Sequence, residues 1–136
     1  MSARPGFPLP VPSEDSAPFW EFLQQGELRL QRCADCSTLA HPPRLMCPAC
    51  GSFERDWSPV SGRGTVYSYV VTRQAVHPSF EGHTPYATVV VELAEGPRLT
   101  SNLIDVAVDD IQIGMPVEVA LVAVSDEVTL PLFRRA

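Results

Sequence analysis

The sequence predicts a mainly β protein: a short N-terminal helix and a four-cysteine metal-binding ribbon, followed by a small five-stranded barrel. Three observations support this prediction. The only four cysteines form two C-x-x-C pairs, Cys33/Cys36 and Cys47/Cys50, a spacing typical of zinc sites. One short aromatic stretch before them has helical periodicity. Five short β-type segments follow them. We expect a Pro-rich arm at 1–15, the helix and ribbon at 16–63, and the barrel at 64–136.

The arm contains Pro5, Pro8, Pro10 and Pro12, which favour an extended or disordered chain. It is interpreted either as a bare terminus or as a strap that orders on a partner. It has no apolar run typical of a signal peptide, so we expect a reducing, cytoplasmic compartment.

The predicted helix begins near Ser16, a plausible N-cap, with Pro18 in its first turn, and ends at Gly26. Its apolar face has i, i+3, i+4 spacing and consists of Phe19, Phe22 and Leu23. So short a helix must pack on something. That neighbour is the ribbon in one interpretation and a partner protein in the other, which makes Phe19, Trp20 and Phe22 candidate partner-binding residues.

Four cysteines would close a metal tetrahedron and leave no position for water or substrate, so the site predicts structural zinc. Iron is the rival, because the C-P-A-C-G sequence of Cys47 to Gly51 also occurs in rubredoxins. Gly51 follows the second pair, where a residue free to adopt a positive φ is useful. Disulfides are disfavoured in a reducing compartment.

The ribbon is predicted to contain a strand at 27–32, with Leu28 and Leu30 on one side, and a strand at 53–57 that leaves it. Between the cysteine pairs, His41-Pro42-Pro43-Arg44 excludes a helix. His41 is interpreted as a surface histidine or one that supports the metal ligands.

The barrel follows Gly62-Arg63-Gly64, which we interpret as a hinge-like, flexible break. One strand face should carry Val117, Val119, Leu121 and Ala123. A helical turn is expected within 108–114, where an OB-fold has its connecting helix. The five predicted strands cover 66–76, 86–93, 99–106, 117–124 and 128–133.

The formal charge is −6, and every basic residue is arginine. Residues 1–63 hold six Arg against seven acids (−1), and residues 64–136 hold four against nine (−5). This balance disfavours nucleic-acid binding, and the absence of lysine excludes a Schiff-base lysine. No apolar run is long enough to span a membrane.

No catalytic motif is apparent, so no catalytic residue is assigned. The loop from His77 to Tyr86 favours recognition, although His77 or His83 with Glu81 could do acid–base chemistry. Tyr67 and Tyr69, two apart and therefore expected on one strand face, could stack on a base or adenine ring or simply pack. The candidate ligand-binding residues are Arg63, Tyr67, Arg73, His77, Phe80, Tyr86 and Arg98.

The order of motifs resembles a known family. P-F-W-E-F-L leads to C-A-D-C, P-P-R and C-P-A-C-G, then G-R-G-T-V-Y-S-Y, P-Y-A-T-V-V-V-E-L, I-G-M-P-V-E-V and L-P-L-F-R. Over residues 16–136 this pattern is similar to proteins long labelled a domain of unknown function, which join a rubredoxin-like zinc ribbon to an OB-fold.

The resemblance implies a non-catalytic accessory subunit of an acyl-CoA enzyme. Family members partner thiolases, thiolase-like aldolases that cleave steroid side chains, enoyl-CoA hydratases and acyltransferases, and in some complexes the barrel contributes to the CoA path. The resemblance also places the zinc ligands on Cys33, Cys36, Cys47 and Cys50, and it implies a heterotetramer around a dimeric enzyme. The alternatives left open are a stand-alone acyl-CoA carrier, a single-stranded nucleic-acid binder and an iron electron carrier.

Overall fold

A computed structural model describes residues 8–136 of the chain, so the part of the predicted arm before Pro8 lies outside the described residues. The described chain contains one α-helix, a three-stranded sheet and a closed five-stranded barrel. The predicted mainly β fold, with its helix, four-cysteine ribbon and OB-type barrel, is confirmed.

Helix α1 spans Ala17–Gln24, and Gly26 follows it with a φ of 86°. Ser16 precedes the helix as predicted, but its hydroxyl makes no capping bond. Instead, Ser16 Oγ accepts a hydrogen bond of 2.9 Å from the Ser13 N–H. The helix is therefore held mainly by its buried face, which contains Phe19 and Leu23.

The ribbon sheet has the order β2-β1-β3 and is antiparallel. Its strands are β1 (Arg29–Cys33), β2 (Leu39–Ala40) and β3 (Arg55–Pro59). Leu28 and Leu30 are buried as predicted. Gln31, the next residue after Leu30, is also buried. Strand β2 was not predicted, because two residues are too short for an alternating pattern.

The barrel has the strand order β4-β5-β6-β8-β7 and closes through pairing of β4 with β7. A 3₁₀ turn at Val108–Asp110 lies within the predicted helical segment. The barrel strands are β4 (Arg63–Thr72), β5 (Tyr86–Leu93), β6 (Arg98–Ile104), β7 (Pro116–Ala123) and β8 (Thr129–Arg135).

One hydrophobic core joins the helix, the ribbon and the barrel. Phe19 and Leu23 of α1, together with Leu28 and Leu30 of the ribbon, belong to the same buried cluster as the interior residues of β4 to β8. A second, smaller cluster contains Val122, Val124 and Leu132. In β7, Val117 is buried in the main core and Val122 is buried in the smaller cluster. Ala123, which was predicted on the same face as Val117, is exposed.

The predicted flexible break at Gly62-Arg63-Gly64 is wrong. Arg63 and Gly64 are the first residues of β4 and pair with β7. Gly62 is buried with a φ of 79°, and a Cβ there would overlap the Val119 side chain. A Cβ on Gly64 would overlap the carbonyl oxygen of Glu92. These glycines permit close packing of the backbone, not mobility.

Tyr67 and Tyr69 do not share a strand face, contrary to the prediction. The register of β4 against β5 shifts between Val66 and Ser68, so Tyr67 is the extra residue of a β-bulge. Tyr69 lies opposite the fully buried Val89 and packs against the core. Tyr67 instead lies outside the barrel and is 48% exposed.

Candidate functional site

The two cysteine pairs fold into turns with the same backbone hydrogen bonds. In the first turn, the Ser37 N–H donates to the Cys33 carbonyl at 3.0 Å, and the Cys33 N–H donates to Thr38 at 2.9 Å. In the second, the Gly51 N–H donates to the Cys47 carbonyl at 3.0 Å, and the Cys47 N–H donates to Ser52 at 2.8 Å. Each turn directs its two sulfurs toward the other pair.

The four sulfur atoms lie within 4.8 Å of one another. The Sγ atoms of Cys33 and Cys50 are 3.6 Å apart, as are those of Cys36 and Cys47. Zinc bound tetrahedrally at about 2.3 Å would place thiolate sulfurs about 3.8 Å apart. The arrangement therefore fits a four-thiolate metal ion, which would hold the two turns together.

Backbone amides favour the thiolate form of the two buried cysteines. The Cys36 amide is the main group that holds the pKa of Cys33 below its usual value, against an opposing effect of burial. The Cys50 amide is the main group that lowers the pKa of Cys47 to about 6. For Cys50, the Ser52 amide lowers the pKa, but neighbouring thiols and burial together raise it to about 12. Four clustered thiolates therefore need a cation to offset their mutual repulsion.

Gln31 supports the ribbon from inside, a role that the alternating pattern of 27–32 did not indicate. Its side-chain carbonyl accepts a hydrogen bond of 2.7 Å from the Arg44 N–H and one of 2.5 Å from Arg55 Nη2. The Nε and Nη1 atoms of Arg55 are buried without a partner. Gln31 thus ties the segment between the cysteine pairs to β3.

His41 packs against the helix. Its ring centroid is 5.1 Å from that of Phe19, and its Nδ1 atom is buried without a hydrogen-bond partner. Burial lowers the pKa of His41 to about 4. The ring is therefore neutral at physiological pH. It is half-buried against the helix, and its support of the metal ligands stays a prediction.

A groove of about 450 Å³ lies where the helix, the ribbon and the barrel meet. Phe19, Trp20 and His41 form one side, and segments of β6 and β8 form the other. Of the predicted candidates, only the partner-binding residues Phe19 and Trp20 line it. Phe22 lies elsewhere: its ring is 6.0 Å from Trp57 and is covered by the Arg29 guanidinium at 4.8 Å.

Three of the predicted ligand-binding residues come together at the start of β5. The rings of Phe80 and Tyr86 stack at 5.4 Å with an interplanar angle of 24°. His77 meets Phe80 edge-on at 6.5 Å, and its Nδ1 accepts a hydrogen bond from the Ser79 N–H. This set is called the loop cluster below. It offers an aromatic surface beside the end of β4.

A second pair of candidates lies outside the barrel. The guanidinium of Arg98 covers the Tyr67 ring at 3.7 Å and forms an ion pair of 3.2 Å with Glu92. Arg73 is apart from this pair and makes a long, exposed ion pair of 3.8 Å with Asp109. Arg63 is exposed at the start of β4. The seven candidates therefore do not form a single site.

Models of the ChsH2 family match both parts of the chain. The ChsH2 rubredoxin-like zinc ribbon domain matches residues 20–54, and the ChsH2 C-terminal OB-fold domain matches residues 57–122. A DUF35 domain-containing scaffold protein of Methanothermobacter thermautotrophicus is 35% identical over 79% of this chain and 82% of its own length. The chain belongs to the DUF35 family. The family assignment made from the motifs is thus confirmed.

Two further comparisons bear on the role of this DUF35 chain. A chain of the solved structure of the Ltp2-ChsH2(DUF35) aldolase superimposes with a TM-score of 0.86 and 46% identity, covering 93% of this chain and 98% of that one. A probable enoyl-CoA hydratase alpha subunit of Thermomonospora curvata is 47% identical over 95% of this chain. This chain spans only 40% of the length of that hydratase subunit.

Among residues 8–136, no helix is long and apolar enough to cross a membrane.

Proposed function

We propose that this chain is a non-catalytic accessory subunit of an acyl-CoA enzyme of the thiolase-like aldolase type. The observation that carries the proposal is its similarity, over almost the whole length of both chains, to the DUF35 chain of the Ltp2-ChsH2 aldolase. In this role the chain stabilises the enzyme and helps to form its acyl-CoA channel. We further propose a heterotetramer, with two copies of this chain on a dimeric enzyme.

The distribution of reactive side chains supports a non-catalytic role. All four cysteines are in the metal cluster. His41 is packed against Phe19 with a lowered pKa, and His77 bonds to Ser79 within its own loop. In the part of the chain that the structure describes, neither of these two histidines forms a hydrogen bond with a carboxylate. The partner would then supply the catalytic groups.

Zinc is the metal we propose for the cluster, held by Cys33, Cys36, Cys47 and Cys50. Four thiolates suit zinc, and a closed site of this kind stabilises a fold without contributing chemistry. A reducing cytoplasm would keep the thiols available for the metal.

Two surfaces could contribute to the CoA path. The Tyr67–Arg98 pair joins an exposed aromatic ring to a cation, which suits an adenine ring and a phosphate. The loop cluster of His77, Phe80 and Tyr86 offers a stacked aromatic surface, with Arg73 beyond the end of β4. We favour the Tyr67–Arg98 pair, because both side chains are about half exposed.

An enoyl-CoA hydratase is the second candidate partner. The similarity to the hydratase alpha subunit of T. curvata favours it. Aldolase and hydratase act on acyl-CoA in different ways, so the product distinguishes them: an aldolase breaks a carbon–carbon bond, and a hydratase adds water to a double bond.

The test is to purify the tagged chain from its host and identify co-purifying proteins by mass spectrometry. We expect a thiolase-like protein in a 1:1 ratio, with a mass by light scattering that corresponds to two copies of each. Reconstitution should raise the melting temperature and activity of the large subunit. The proposal is overturned if the chain purifies alone and binds acyl-CoA without a partner, which would indicate a carrier, or if the pair is no more stable or active than the large subunit.

A further inference from the structure

Strand β4 has a free backbone edge along its second half. Its first residues, Arg63 to Thr65, pair with β7 on one side, whereas Ser68 to Thr72 pair only with β5. Val66 closes the shared part, since its N–H donates to Met115 and its carbonyl accepts from Gly114. Among the described residues, no backbone hydrogen bond joins 67–72 to anything other than β5.

The register identifies the unpaired groups. Val66 lies opposite Val91, and both of its backbone groups bond on the β7 side. Tyr69 and Val71 lie opposite Val89 and Ala87, which are two and four residues before Val91 in β5. These pairs are therefore of the same type as the pair of Val66 with Val91. In an antiparallel ladder every second pair directs its N–H and C=O groups away from the partner strand. Tyr69 and Val71 therefore present two donors and two acceptors at the free edge.

Isolated edges are normally protected by charge, proline or a covering element, because they bind other strands. Residues 67–72 contain no charge and no proline. The bulge at Tyr67 protects only the start of the free segment. In the described chain, the connection between β6 and β7 contacts β4 through side chains, at 3.3 Å from the Tyr69 hydroxyl to the Ile111 carbonyl and at 3.8 Å from Arg73 to Asp109, but forms no backbone hydrogen bond with residues 69–72. Two apolar side chains of the free segment are exposed, Tyr67 by 48% and Val70 by 62%.

We propose that this edge binds an extended segment of the partner enzyme, which adds a strand beside β4. This inference rests on the proposed function and names the surface through which the accessory subunit holds its partner. The segment would bond to the backbone of Tyr69 and Val71 and place apolar side chains on Val70. Such strand addition obtains affinity from the main chain and specificity from alternate side chains.

The comparison with a solved structure favours an enzyme partner over a second copy of this chain. The chain that superimposes on this one with 46% identity belongs to the Ltp2-ChsH2(DUF35) aldolase. Six residues span only about 20 Å, whereas a stable interface buries about 800 Å² on each partner. The edge would therefore form one part of a larger interface with the enzyme.

The test uses the full chain and the co-purified enzyme identified as above. Val70→Lys places a charge on the free edge at a side chain that is 62% exposed, so we expect the melting temperature of the free chain to stay unchanged. The Kd for the enzyme should rise more than tenfold. Leu45→Lys, at a side chain that is 67% exposed and lies between the two cysteine pairs, is the matched control and should leave the Kd unchanged.

A second measurement needs no variant. Amide hydrogen exchange at Tyr69 and Val71 should slow at least tenfold when the purified enzyme binds. The edge is not the docking site if the enzyme binds the wild-type chain without changing exchange at these amides and binds Val70→Lys equally well. That outcome would leave the accessory role intact. A wild-type chain that binds no enzyme overturns both. Self-association that Val70→Lys abolishes would assign the edge to a second copy and overturn the enzyme as occupant.

Discussion

Ser37 and Gly51 occupy equivalent positions in the two cysteine turns. Each follows the second cysteine of its pair, each N–H donates to the carbonyl of the first cysteine at 3.0 Å, and their φ values are 65° and 80°. One turn thus uses glycine for a left-handed conformation, and the other imposes the same conformation on an L-residue. Backbone strain is therefore expected at Ser37 and not at Gly51.

Substitutions at these two positions should have opposite effects. Gly51→Ala should lower the free energy of unfolding by about 1 kcal/mol, because alanine is strained at a positive φ. No atom lies within 4 Å of a Cβ placed there, so the cost is conformational. Ser37→Gly should be neutral or stabilising by up to about 1 kcal/mol. Urea unfolding in excess zinc measures both, and equal destabilisation by the two variants would contradict the proposed strain.

The sequence identified features that depend on local pattern and spacing. The two C-x-x-C pairs indicated the metal cluster, and strand β5 was predicted at its observed bounds, Tyr86–Leu93. The alternation of polar and apolar residues was sufficient there because one face of β5 is wholly buried.

The failed predictions depend on contacts between distant parts of the chain. The bulge at Tyr67 is set by the register against β5, which a single strand does not reveal. Gly62 and Gly64 were interpreted as mobile because the side chain and backbone that approach them, Val119 and Glu92, are remote in sequence.

The purified chain should be colourless and contain one zinc per molecule by mass spectrometry of metals. Removing zinc with a chelator should lower the melting temperature of the whole chain, because Leu28 and Leu30 of the ribbon share a core with the barrel. The change should be at least 10 °C, since zinc contributes roughly 10 kcal/mol in small modules. A red preparation would indicate iron. A barrel that melts at an unchanged temperature after chelation would show that the two parts are not coupled.

Gln31→Leu should destabilise the chain by about 2 kcal/mol, because it leaves Arg55 and the Arg44 N–H without their shared acceptor. Arg55→Met removes the guanidinium itself. The double variant should lose less than the sum of the two single variants, since no buried cation remains without an acceptor. Urea unfolding of the four proteins measures this coupling, and strict additivity would contradict it.

His41 should make stability depend on pH. Its pKa is about 4 in the folded chain, against 6.5 for an unperturbed histidine. The unfolded chain therefore binds more protons, and stability should fall as the pH drops from about 6.5 to about 4. The loss of folding free energy attributable to His41 should be about 2 kcal/mol between pH 7 and pH 5.

This loss is measured as the difference in pH dependence between the wild type and His41→Phe, so that acid effects on the metal site cancel. His77→Gln, at an exposed histidine, is the control for removal of a histidine side chain.

Arg98 and Arg134 offer a matched test of CoA binding. Both make ion pairs outside the barrel, at 3.2 Å with Glu92 and 3.0 Å with Glu118, and their side chains are 51% and 53% exposed. Exposed pairs of this kind contribute about 0–1 kcal/mol to stability, so both alanine variants should fold normally. Only Arg98 covers an aromatic ring, that of Tyr67.

Arg98→Ala should therefore weaken CoA binding to the reconstituted complex about tenfold, the effect of losing one charge-assisted hydrogen bond to phosphate. Arg134→Ala should leave the affinity unchanged, as measured by calorimetry. Tyr86→Ala addresses the loop cluster, in which Tyr86 stacks on Phe80. If Tyr86→Ala weakens binding and Arg98→Ala does not, the loop cluster is the CoA contact and the Tyr67–Arg98 pair is not. Equal losses for Arg98→Ala and Arg134→Ala would instead indicate a general effect of surface charge, because the two arginines differ chiefly in the ring beneath Arg98.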